Sequence, residues 1–183
     1  MKKKIRLIAL GIAALLIFTM SGCGVSHNTP EGVVESLIEE YVKGKENNIK
    51  DCYGQKKDTE ESLQTEIDAT IKYFKAHNVK KLKINECDSL SESKDYTYVY
   101  ILYNLVLEDE QEYPCVGTYM VEKKDKKYYV LPSSKITEDM SKQAATDYAK
   151  FMTTDSYKNY TKAYNTFIKK NPGYEDKIAN KLK

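Results

Sequence analysis

The 183-residue chain has no tryptophan, two histidines, four cysteines and four prolines, and its charges nearly cancel, with 29 Lys and Arg against 27 Asp and Glu. Each scarcity removes a class of function. His27 and His77 have no second ligand at coordinating spacing, so no metal site is expected. No Cys-x-x-Cys, Gly-x-Ser-x-Gly or phosphate-loop pattern occurs, which leaves nucleophilic catalysis and nucleotide cofactors without a motif. The acids Glu108, Asp109, Glu110 and Glu112 lack the regular spacing and glycine turn of a calcium loop and read as a solvated hairpin tip. Residues 1–22 hold four basic groups (Lys2, Lys3, Lys4, Arg6) and no acid, so the other 161 residues carry 25 basic and 27 acidic groups. The mature chain therefore has no nucleic-acid footprint. At that length it builds one core rather than two, against the two-lobed solute-binding proteins.

What is present first is an address. Met1–Arg6 is basic, Leu7–Met20 is apolar, and Met20-Ser21-Gly22-Cys23 follows. Fourteen residues rise about 21 Å as a helix, short of a ~30 Å hydrocarbon core. Small residues before a cysteine resemble the lipobox of bacterial lipoproteins, with Met20 where that motif usually has Leu. The resemblance implies a signal peptide over 1–22 and lipidation (palmitate) at Cys23. The protein would sit at the outer face of the cytoplasmic membrane, in a bacterium of Gram-positive type. An ordinary secretory signal with an incidental cysteine is the alternative. Residues 23–28 then form a lipidated tether of under about 20 Å.

The mature chain changes period twice. Thr29 as N-cap, Pro30 at the first helical position and Gly44 as terminator bound helix one, with Val33, Val34, Leu37, Ile38, Tyr41 and Val42 at helical spacing. Asn48–Tyr53 is a short helix before Gly54. Asp58 with Glu61 resembles a capping box for a third helix carrying Leu63, Ile67, Ile71 and Phe74 to His77-Asn78. His77 is read as a favourable charge at that helix C-terminus. Period two then predicts strands over 80–90, 95–108, 112–123 and 127–132. From 134 to 183 the helical period returns, with ten basic and six acidic groups from residue 135 onward. The expected fold class is α+β: N-terminal helices packed on a curved antiparallel four-stranded sheet (29–133), followed by a C-terminal helical tail (134–183) on or next to the sheet.

Turns centred on Ser91-Glu92 and Asp109-Glu110 would place Leu82 opposite Ile101, Ile84 opposite Val99, Met120 opposite Val99 and Val116 opposite Tyr103. That register collects Tyr96, Tyr98, Tyr100, Tyr113, Tyr119 and Tyr128 on the other face, with Tyr100 across from Tyr119. It also sets Cys87 and Cys115 about 26 Å apart, too far to bridge. The tyrosine face is the candidate binding face. It is read as packing under the tail, as a homodimer or protein-partner interface, or as a small-ligand site. The tail is expected to cover it, with Lys158, Lys162 and Lys169 outward.

The run Thr29-Pro30-Glu31-Gly32-Val33-Val34 through Tyr41-Val42-Lys43-Gly44, with three helices before a meander, resembles the nuclear-transport-factor-two-like (cystatin-like) superfamily. It is similar to the opening helix of small bacterial lipoprotein domains of that superfamily, which have no assigned function. The resemblance covers residues 29–133. Steroid isomerases and polyketide cyclases of that superfamily use acids, His or Tyr in a cone-shaped pocket. No position here matches those motifs, so no catalytic residue and no cofactor is assigned. The expected function is a membrane-anchored extracytoplasmic lipoprotein acting as a non-catalytic binding or accessory module. The alternatives are a small-molecule enzyme with a pocket between helices one and three and the aliphatic face, or a scaffold subunit of an envelope (conjugation or secretion) complex.

Overall fold

Thr29 Oγ1 accepts a hydrogen bond from Gly32 N at 3.0 Å and opens helix α1, Pro30–Lys43. Gly44 closes it in the left-handed region at φ 65°, a conformation that costs a glycine little. The structure, a computed structural model, describes residues 24–55 and 59–183. Cys23 and the leader lie outside the described residues, as does Asp58 of the expected capping box. Helices α2 (Glu46–Cys52) and α3 (Glu61–Ala76) follow, then strands β1 (Val79–Glu92), β2 (Thr97–Leu107), β3 (Glu112–Lys124) and β4 (Lys127–Val130). Helices α4 (Glu138–Phe151), α5 (Asp155–Lys170) and α6 (Tyr174–Leu182) form the tail. The sheet is antiparallel in the order β1-β2-β3-β4, so the protein is α+β.

β2 is buried on both faces. Val99, Ile101, Tyr103, Leu105 and Leu107 join Val33, Val34, Leu37 and Ile38 of α1 and Leu63, Ile67 and Phe74 of α3 in the main core. Its alternate residues Tyr100 and Leu102 join Phe151 in a second cluster, flanked by Tyr148, Tyr157 and Tyr160 of the tail. The ring of Phe151 stands 4.3 Å from that of Tyr100, whose hydroxyl donates to Glu86.

Pairing differs from the expected register. The β2–β3 loop has three residues, Glu108–Glu110, not two: Leu107 N donates to Gln111 O, and Glu110 takes φ 63°. One extra loop residue shifts every pair by one and sends each β3 side chain to the face opposite the expected one. Tyr100 accordingly lies across from Thr118, Tyr119 across from Val99, Met120 across from Tyr98 and Val116 across from Leu102. In β1 the turn falls at Ser93–Tyr96 and three irregularities intervene, so Leu82 pairs with Leu105 and Ile84 with Tyr103. That slip is larger but even at Leu82 and Ile84, so both keep their expected face.

The tail does more than cover one face. β4 pairs only with Val121–Lys124. The outer edge of β3 from Glu112 to Tyr119 has no strand neighbour among the described residues, and α5 packs along β3. Such an edge, left open, would template pairing with another chain. Tyr157 and Tyr160 reach the second cluster, whereas Tyr164, Phe167 and Ile168 join the main core. Lys158, Lys162 and Lys169 are exposed. α6 docks against α3, where Lys181 Nζ donates to Ala76 O at 2.6 Å.

The expected tether is folded. Tyr128 N donates to His27 O at 3.0 Å, and His27 Nδ1 donates back to Tyr128 O at 2.8 Å. Ser26 N donates to Ser36 Oγ at 3.0 Å, and Val25 packs against the core. These hydrogen bonds, one between main chains and two through side chains, fix Gly24–Asn28 across β4 and α1, so the segment supplies little slack.

Phe151 is 3% exposed. Phe151→Ala should lower the unfolding free energy by about 3 kcal/mol, while Lys158→Ala on the exposed side should change it by less than about 0.5 kcal/mol. Denaturant titration monitored by tyrosine fluorescence measures both. An unchanged midpoint for Phe151→Ala would make the tail an independent unit.

Candidate functional site

The six tyrosines do not form one face. Tyr98 and Tyr100 point away from α1 and α3, while Tyr113 and Tyr119 stand across from Leu105 and Val99 on the main-core side. Tyr128 packs at the core margin with Lys123 Nζ 5.0 Å from its ring, and Tyr96 lies in the β1–β2 turn. Tyr100 is covered by Phe151, and Tyr113 by Phe167, Tyr164 and Tyr174, so the tail occupies them.

Tyr98 and Tyr119 come together elsewhere, from opposite faces of the sheet at its β3 margin. They line a cleft of about 500 Å³ with Tyr53, Glu66, Thr118, Met120, Leu131, Ser133, Ile136, Ser141, Ala144, Ala145 and Tyr148. Its volume suits a small ligand. Besides Tyr148, the α4 residues facing it are Ser141, Ala144 and Ala145, too small to fill the gap between that helix and the sheet. Gly117 positions Tyr119: a Cβ there would meet the Tyr119 ring at 3.0 Å and Ile101 Cγ2 at 3.3 Å. The main interior between α1, α3 and the sheet, the pocket of the alternative enzyme reading, is packed by Leu37, Ile38, Ile67, Phe74 and Tyr103.

One carboxylate organises the cleft. Glu66 Oε1 accepts from the Tyr53 hydroxyl at 3.3 Å, and Oε2 accepts from Ser133 Oγ at 2.7 Å. The Tyr41 hydroxyl lies 3.2 Å from that of Tyr53 and, with Tyr53 donating to Glu66, donates to it. Burial raises Tyr41 to about 12 and also raises Tyr53, Tyr119 and Tyr148, so these phenols are neutral donors at physiological pH. Sequence periodicity missed Glu66, which sits on a solvent-side position of α3; Ser141, Ala144 and Ala145 were its companion signal.

A second groove, of about 510 Å³, runs between α5 and the strands, with Asn104, Glu112, Pro114, Lys162 and Lys170 in its lining. Glu112 is engaged there by Lys83 at 3.1 Å and by Asn104.

The remaining reactive groups are sealed or unsuited to attack. Cys52, Cys87 and Cys115 are free thiols. Burial pushes Cys115 up to about 12 and raises Cys52 and Cys87 as well. Cys87 pairs with Ile101 and Cys115 with Tyr103. Two strand spacings and two residues put these cysteines roughly 12 Å apart rather than 26 Å, still beyond bridging range. His77 is not a charge at a helix end. It is 4% exposed, its Nδ1 lies 2.8 Å from the Tyr174 hydroxyl, and the rings of Tyr73 and Tyr113 stand 4.6 and 4.9 Å away. Its Nε2 is buried with no hydrogen-bond partner among the described residues. No group of three or more metal-ligating side chains occurs among the described residues, and no helix there is long and apolar enough to cross a membrane.

No protein-family model matches the chain, and no curated protein matches it. Among solved structures it is similar to a protein described as an NTF2-like transpeptidase from Campylobacter jejuni, at 17% identity and a TM-score of 0.39, over 57% of this chain and 99% of that one.

His77 gives the molecule an acid-sensitive seam. Desolvation first, then Lys181, lower its pKa from 6.5 to about 4. A pKa depressed on folding means the fold favours neutral imidazole; that contribution is complete above pH 6.5 and is lost as pH falls through 4. About 3 kcal/mol should disappear across this window. Asp147, lowered to about 2 by Gln143 and Lys150, and the lowered Glu46, Asp109 and Glu112 lose theirs only below their ordinary values. His77→Phe should flatten stability between pH 6.5 and 4, measured by denaturation at each pH.

Proposed function

We propose that the protein is a membrane-anchored extracytoplasmic lipoprotein that acts as a non-catalytic binding module, taking a small ligand in the cleft beside β3. The observation that carries this reading is the cleft itself: Tyr53, Tyr98, Tyr119 and Tyr148 line it with one hydrogen-bonded carboxylate. Among the described residues it holds hydroxyl donors, apolar walls and a single carboxylate already accepting from Tyr53 and Ser133, with no cysteine or histidine beside it. Three helices ahead of a four-stranded meander are also the element order expected from the resemblance to the nuclear-transport-factor-two-like superfamily.

Anchoring rests on the lipobox-like Met20–Cys23. The docked segment sharpens its consequence: Cys23 precedes His27 by four residues, at most about 14 Å of chain. His27 is pinned to Tyr128, beside the β3–β4 tip that bears Lys123, Lys124, Lys126 and Lys127. That tip, rather than the tail lysines, would face the bilayer, where each lysine near an anionic surface adds roughly 1 kcal/mol of attraction.

Two measurements test the two halves. Labelled fatty acid should enter the wild-type chain and be absent from Cys23→Ala; persistent labelling overturns the anchor. A thermal-shift screen of small molecules should yield ligands whose shift vanishes in Ala145→Trp, which fills the cleft from α4. Recovery of a bound molecule chemically altered after incubation would replace the binding reading with the enzyme reading.

A further inference from the structure

The charge inside the cleft specifies what it holds. Among the described residues Glu66 is the one acidic residue of the lining, and no Lys or Arg lines the cleft with it. Its two oxygens receive only neutral donors, Tyr53 OH, Ser133 Oγ and Ser133 N, the last at a long 3.5 Å, and no cation approaches it within 4 Å among the described residues. Glu40, Glu112 and Asp147 each have a lysine partner, whereas Glu86 and Glu175 accept, like Glu66, from hydroxyls but do not line this cleft. Hydrogen bonds disperse the charge of Glu66 but do not neutralise it.

Four tyrosines line the cleft with this charge, from the α2 end (Tyr53, in contact with it), β2 (Tyr98), β3 (Tyr119) and α4 (Tyr148). A tyrosine ring has a negative face, and several rings beside one carboxylate make a setting that favours a cation over a neutral group of the same shape. Met120, Leu131 and Ile136 supply apolar wall for the rest of such a ligand.

We infer that the cleft recognises a small organic ammonium: a primary or quaternary amine on an apolar body, its cationic nitrogen near Glu66 and its body against Met120 and Ile136. This inference rests on the cleft being the binding site, as proposed above. An anion or a nucleotide would meet an unneutralised carboxylate without a compensating base. The second groove, where Lys162 and Lys170 stand beside an already paired Glu112, offers no comparable cation site.

The test compares benzyltrimethylammonium with neopentylbenzene, in which carbon replaces the charged nitrogen, by titration of the full chain in a non-ionic detergent. The ammonium should bind at least about tenfold more tightly than its neutral isostere. Glu66→Gln, which keeps the acceptor for Tyr53, should reduce ammonium affinity about tenfold and leave the isostere unchanged. Ala145→Trp should abolish both. Equal affinities for the two probes in the wild type overturn the ammonium inference while leaving the cleft as an apolar site. Binding that survives Ala145→Trp places the ligand elsewhere and overturns the cleft reading as well, as does failure of both probes to bind. The two-probe comparison uses the native chain, so it decides the matter even where Glu66→Gln does not fold.

Discussion

Everything else in the molecule answers to the double burial of β2. A strand with Val99, Ile101 and Leu105 on one face and Tyr100 and Leu102 on the other needs apolar cover on both sides. Burying one such side chain contributes on the order of 1.5–3 kcal/mol, so leaving either face wet would remove a large part of a domain's net stability. Helices α1 and α3 cover the first face. The tail covers the second, and α5 crosses the unpaired margin of β3 to reach both cores. One helix thereby hides apolar surface and blocks an edge that would invite strand addition.

The same geometry separates what could be read in the sequence from what could not. Helix ends were legible because their signals are local: Thr29 and Pro30 open α1, Gly44 closes it, and His77-Asn78 ends α3. The four strands were legible because period two runs through each of them. Register was not. Asp109 and Glu110 look like a two-residue turn, yet Glu110 adopts a left-handed conformation and the loop takes in Glu108. That single residue moved Tyr113 and Tyr119 to the helix side and Val116 and Met120 to the other. In β1 the slip was even at Leu82 and Ile84, so both stayed on the expected face although their partners changed.

Docking of Gly24–Asn28 was invisible for a different reason. It depends on the carbonyl and the ring Nδ1 of His27 meeting the main chain of Tyr128, a hundred residues away, and a lone histidine in a polar segment shows no periodicity that would reveal such a partner. The cleft was hidden because small residues create it. Periodicity analysis counts large apolar side chains and passes over Ser141, Ala144, Ala145 and Gly117, whose contribution is the volume they do not occupy. Of the six tyrosines singled out, the structure brings only Tyr98 and Tyr119 into the cleft, from opposite faces, which no alternation rule would have joined.

The position of the cleft couples it to the tail. One wall belongs to the N-terminal half, through Tyr53 and Glu66, and the other to α4, through Ala144, Ala145 and Tyr148. At the cleft the two walls are joined by the Ser133 hydroxyl on Glu66, in the segment that leads from β4 into α4. A ligand held between these walls binds only the arrangement in which α4 is docked, so its binding free energy adds to the packing of Phe151 on Tyr100. The reverse holds by linkage: whatever loosens α4 lowers the population able to bind and weakens apparent affinity by the same factor. The helical tail is thus part of the site, because the cleft exists only while the tail covers β2.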